Sequence, residues 1–164
     1  MEKMDDYIQI MVESLQKKAD LLDRLITKNA AQAACVEGKT FDEIDWDAFN
    51  LLVAEKETAI DRINKMDEGF QSLYDRVKEQ LNEDKDKYSS QIKEIQRLIG
   101  VVTDQGVRIR AEEERNRKMI ENILGGKKKT IRQTRNSLKV ANSYAQTMQG
   151  NFGDTGTISI KSKN

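Results

Sequence analysis

The chain has 164 residues, with no proline, no histidine and one cysteine, and 34% of its side chains are charged. That length suits one domain, and the bias toward Glu, Lys, Gln, Leu, Ile and Ala is that of long helices or coiled coils rather than of sheets. Without histidine there is no His-based acid–base pair, no Ser-His or Cys-His nucleophile and no His-metal site.

The formal charge is zero but unevenly divided. Residues 1–84 hold 11 basic and 20 acidic side chains, and residues 85–164 hold 17 and 8. The halves attract, which favours folding the chain back on itself and leaves a basic end for an acidic partner. Cys35 alone makes no internal disulfide, which fits a reducing compartment. The first fifteen residues lack the apolar core of a secretory signal. No apolar run approaches the roughly 20 residues of a membrane span, so no stable membrane insertion is expected and the expected location is cytoplasmic.

A first helix is predicted over 3–35. Met4, Ile8, Met11, Leu15, Leu22 and Leu25 alternate four and three apart, with one gap at Lys18. Gly38 suits a left-handed cap after it. Thr40 and Glu43 have the spacing of a capping box, and Asp45 is a second N-cap candidate, favoured as the main start of helix two.

Helix two, predicted over 46–81, carries the widest stripe: Phe49, Val53, Ile60, Ile63, Phe70, Tyr74, Val77 and Leu81 in one row, with Leu52, Ala59, Met66 and Leu73 beside it. Lys56 and Asp67 are empty slots in that row. A stripe this wide is expected to touch two neighbours, so this helix is the expected organiser of the fold.

The polar run 82–87 is read as a tight turn. An unbroken helix through it would be about 120 Å long with no cover for its stripe. Helix three follows over 88–124, with Ile92, Ile95, Ile99, Val102, Ile109, Ile120 and Ile123 in its row. Gly106, Glu113 and Asn116 interrupt that row, making 108–118 the weakest part of the seam: solvated, splayed or held by a partner. Gly125 and Gly126 break the chain. A fourth, basic helical pattern follows over 125–149, with Ile131, Leu138, Ala141, Tyr144, Ala145 and Met148, and then a mobile tail over 150–164. The expected fold is all-α: an antiparallel, coiled-coil-like bundle of three long helices in residues 1–124, plus the shorter basic helix and the tail.

Several residue groups look chemical and are better read as structural. Cys35 has no cationic shell to activate it and reads as a small apolar residue near a helix end. Glu112, Glu113 and Glu114 point about 100° apart on a helix and cannot converge on one ion. With Glu121 they read as a solvated charged face. The Gly-Gly-Lys-Lys-Lys-Thr stretch from Gly125 lacks the first glycine of a phosphate loop and the strand that precedes one. Lys127, Lys128, Lys129, Arg132, Arg135 and Lys139 could face phosphates, but few aromatics accompany them, and protein contact is the preferred reading. No cofactor and no metal are expected.

Leu52, Glu55, Lys56 and Glu57 form an L-x-x-E-K-E segment, with apolar residues continuing at Ile60 and Ile63. Asn116 and Asn122 lie where apolar stripe gives way to amide and Arg on helix three. In these features, and in layout from residue 4 to about 150, the chain resembles the FlgN-type flagellar export chaperones. That family has a pair of asparagines on its third helix, for one of which Gln105 or Asn116 stands in here, so the neighbouring FliT type stays open. The resemblance implies a non-enzymatic, cytoplasmic protein. It would bind the C-terminal amphipathic helices of hook–filament junction proteins (FlgK/FlgL-like) and hand them to the flagellar export apparatus. Carried onto this chain, the partner-binding residues are Ile120, Ile123, Ile131, Leu138, Ala141, Tyr144 and Met148. The residues alone also allow a structural coiled-coil adaptor, dimerising through helix two, and a basic helical protein associated with nucleic acid.

Overall fold

The heptad rows become three helices. The computed structural model describes residues 2–125: α1 spans Glu2–Val36, α2 Trp46–Glu83 and α3 Ser89–Gly125, with a single 3-10 turn at Phe41–Glu43. There is no strand among the described residues. No helix among them is long and apolar enough to cross a membrane. The predicted fourth helix and tail lie outside the described residues.

Both cap signals in the first connection are used, each for a different element. Gly38 takes φ +70° just past α1, a conformation that costs an L side chain but not glycine. The Thr40 N–H then donates to Glu43 Oε1 at 2.8 Å, closing the 3-10 turn. That bond holds the exposed Glu43 carboxyl below its usual range. Ile44 is extended, so the turn ends, and Asp45 caps α2 by accepting from the Ala48 N–H at 3.0 Å. Phe41, Trp46 and Phe49 pack across this corner with ring centroids 5.0 and 5.4 Å apart, the first pair tilted and the second edge to face. The Trp46 indole N–H donates to the Phe41 carbonyl at 3.2 Å, giving the ring's polar edge a partner. The second connection turns at residues 84–88, and buried Tyr88 leads into α3.

The expected organiser is displaced. Most close inter-helix approaches join α1 to α3 and fewer join α1 to α2, whereas α2 and α3 meet in the shared apolar clusters and through Lys56 and Glu113. The first helix, not the second, is therefore the element against which the other two pack. Its row of Met, Leu and Ile is narrower, but it shares apolar clusters with both of the other helices.

Apolar burial falls into three clusters along the axis. The first joins Met4, Ile8, Met11 and Leu15 to Phe70, Val77 and Leu81 and to Tyr88, Ile92 and Ile95. The second joins Leu22 and Leu25 to Ile60 and Ile63 and to Val102 and Ile109. The third joins Val36, Phe49, Val53 and Ile120. Each fully buried Leu or Ile contributes about 1.5–3 kcal/mol against exposure. Polar side chains separate the clusters, and these are the gaps in the heptad rows.

Candidate functional site

The first gap lies between the first and second clusters. Lys18 interrupts the row of α1 and Asp67 that of α2, and the structure brings the two together: Lys18 Nζ lies 2.7 Å from Asp67 Oδ1. Lys18 is 2% exposed, whereas the Asp67 side chain is 26% exposed, so one end of the pair still reaches water. Burial pulls the Lys18 ammonium below its usual range, and Asp67 opposes that shift. The long lysine stem covers apolar surface on the way to its charge.

The second gap is larger and more enclosed. Lys56 on α2 is 2% exposed and Glu113 on α3 is 5% exposed. Lys56 Nζ donates to Glu113 Oε1 and also to Gln32 Oε1 on α1, so one ammonium ties all three helices. Burial pulls Lys56 down and pushes the Glu113 carboxyl up, while their mutual attraction and hydrogen bond work against both shifts. Asn116, one turn on from Glu113, donates from Nδ2 to the main-chain carbonyl of Asn29 at 3.1 Å. Asn29 in turn donates to Glu112 Oε1 at 3.2 Å, and Arg108 holds the other oxygen of that carboxylate at 2.9 Å.

This layer corrects two expectations. Residues 108–118 are not splayed or open: Glu113 and Asn116 are buried, and the seam is closed by polar contacts in place of apolar ones. Glu113 is not part of a solvated acidic face. Glu114 and Glu121 are on such a face, where both pair with Arg117. The L-x-x-E-K-E segment also acquires a physical meaning. Its Lys56 faces the core and bridges, while Glu55 and Glu57 face outward, Glu55 pairing with Lys28 at 3.1 Å.

Gln105 repeats what Asn116 does. Its Nε2 donates to the Ala19 carbonyl at 3.0 Å and to Asp23 Oδ1 at 2.8 Å. Two amides on α3 thus reach main-chain carbonyls of α1, using the second lone pair that a helical carbonyl leaves free. Such hooks do not depend on which side chain α1 carries at those points.

The third cluster closes the end from which the chain continues past α3. Of the expected partner-binding residues, Ile120 is 2% exposed inside this cluster. Ile123 is half-buried against it, as are Met119 and Leu124. Beside them a shallow pocket between α1 and α3 is lined by Ala30, Ala33, Ala34, Glu37, Arg115 and Met119. Ile131, Leu138, Ala141, Tyr144 and Met148 lie outside the described residues. Cys35 is half-buried and packs on the same cluster.

No group of His, Cys, Asp or Glu among the described residues is arranged to hold a metal ion. The Lys56–Glu113 pair is closed from solvent and does not reach a substrate from where it sits. What the arrangement offers is surface: a half-covered apolar rim at one end, and helices locked in place by two polar layers. Comparison with protein-family models, with curated proteins and with solved structures returns no match.

Proposed function

We propose that this protein is a cytoplasmic, non-enzymatic flagellar type III export chaperone of the FlgN type. It binds the C-terminal amphipathic helices of hook–filament junction proteins and delivers them to the export apparatus. In this reading the three helices run up, down and up as an antiparallel coiled-coil-like bundle, followed by a shorter basic helix. The order of cross-helix pairs supports that: Lys18 meets Asp67, Lys28 meets Glu55 and Gln32 meets Lys56, while Gln105 reaches Ala19 and Asn116 reaches Asn29.

The observation that carries the functional reading is the end of α3. Met119, Ile123 and Leu124 are half-covered there, and the sequence runs on into an amphipathic stretch bearing Leu138, Tyr144 and Met148. A client helix needs apolar area that can later release it. A segment that orders on binding supplies area while the ordering cost moderates affinity.

Calorimetric titration of the full chain with the C-terminal peptide of a hook–filament junction protein tests this. The peptide is expected to bind, and Leu138→Asp or Met148→Asp is expected to abolish binding with helicity unchanged. Affinity untouched by both substitutions sinks the placement of the site. A stable dimer that binds no peptide would instead favour the structural adaptor.

A further inference from the structure

Between the second and first clusters an open groove of about 450 Å³ runs along the junction of α1 and α2. Leu21 and Met66 form its floor, and both are tied to the second apolar cluster. Lys17 and Arg24 on α1 and Arg62 and Lys65 on α2 stand exposed around it, with Asp20 as the one acidic lining residue. None of these four cations makes an ion pair or hydrogen bond among the described residues. Some other surface cations are matched, Arg97 by Glu94, Arg108 by Glu112 and Arg117 by Glu114 and Glu121, and others such as Arg76 and Lys93 stand singly, whereas here four unmatched cations gather around one groove. The unmatched group is also out of keeping with its place, since it lies in the acidic half of the chain.

We propose that this groove docks an acidic amphipathic helix of a partner protein. One apolar side chain of that helix seats between Leu21 and Met66, and carboxylates on its flanks reach the four cations. The spacing fits. Lys17, Leu21 and Arg24 are one turn apart on α1, and Arg62 and Met66 are one turn apart on α2, so cations stand about a turn away from each floor residue. A helix with carboxylates one turn either side of its apolar anchor complements that pattern. Methionine in the floor adapts to anchors of different shape.

Other occupants match less of the surface. The chain's own residues 126–164 carry eight Lys and Arg and one acidic residue, so like charge opposes their docking here. A nucleic acid or an anionic membrane would use the rim and leave the apolar floor empty. The proposal does not depend on the export reading.

The test is fluorescence anisotropy of the full chain with labelled helical peptides of about 20 residues, roughly 30 Å. The peptides share one Leu stripe and differ in carrying Glu, Gln or Lys on its flanks. The Glu peptide is expected to bind, more weakly as salt rises, and the Lys peptide is expected not to. Arg24→Glu with Arg62→Glu is expected to weaken the Glu peptide about tenfold or more while circular dichroism stays unchanged. Equal binding of the Glu and Lys peptides, absent binding of the Glu peptide, or indifference to the double substitution overturns the proposal. So does a dimer of the parent chain that the double substitution dissociates, because the groove would then belong to a second copy.

Discussion

The two polar layers use the same pair of charges and enclose them differently. Lys18 and Asp67 form a pair whose acid is a quarter exposed, between two helices. Lys56 and Glu113 form a pair sealed at both ends, joined by Gln32 and backed by the Asn29–Asn116 contact, so that it draws on all three helices. A charge that keeps access to water can lose its partner cheaply. A sealed charge cannot, because the one left behind has no solvent to replace what was removed. The Lys18 layer therefore tolerates variation, and the Lys56 layer sets how far the three helices slide against one another.

The largest expected effect sharpens that contrast. Glu113→Ala is expected to lower unfolding free energy by about 3–5 kcal/mol in urea denaturation, by leaving Lys56 buried without its carboxylate. Replacing both members, Lys56→Met with Glu113→Leu, is expected to recover that loss and to end level with the parent or about 1–4 kcal/mol above it. Recovery of stability together with broadened side-chain methyl signals would show that the layer selects one alignment among several.

Asp67→Ala comes next, at about 1–2 kcal/mol, because the Lys18 stem can swing its head toward the water that Asp67 already touches. Lys18→Met is expected to stay within about 0.5 kcal/mol of the parent, since Asp67 keeps its solvent contact. If Asp67→Ala proved as costly as Glu113→Ala, exposure would not be what separates the layers.

The contrast also has a signature in pH dependence. In Lys56→Met, Glu113 keeps its burial and loses the charge that opposed it, so its carboxyl rises further above the ordinary 4.5. Between 4.5 and that raised value the folded chain holds a proton that the unfolded chain has released. Stability of the variant is thus gained as pH falls through the raised value and lost as pH rises through it, with a slope of up to about 1.4 kcal/mol per pH unit. Adding Glu113→Gln should flatten the curve. A slope that survives this change belongs to some other carboxylate.

The sequence displays every member of these layers and hides how they pair. Lys18, Lys56, Asp67, Glu113 and Asn116 all show as gaps in apolar rows, because periodicity reports which face of one helix turns inward. It does not report the axial offset between helices, which depends on how many residues each connection consumes. Glu113 was hidden by its neighbours, since three consecutive glutamates read as a charged surface. Yet the same 100° step that stops them converging on one ion requires that they face different ways, and here Glu113 is the one that turns to the core. Asn29 and Gln32 also fall on the four-three row of α1, between Leu25 and Val36, but in a polar and alanine-rich stretch where the row no longer reads as apolar. The groove cations Lys17, Arg24, Arg62 and Lys65 occupy ordinary surface positions, and only the approach of two helices makes them a group. The helix ends were legible, because Gly38, Thr40, Glu43 and Asp45 act locally.

The preference of α1 for α3 has a consequence for how the chain comes into being. During synthesis the first two helices emerge together and can pair across a short corner, yet the side of α1 that makes most of its close approaches waits for a helix still to be made. Until then a strip of Leu and Ile lies bare, and a nascent hairpin in that state is a natural client for ribosome-associated holding factors. Closure of the longest loop comes last, so this helical protein should fold more slowly than its helix content alone would suggest.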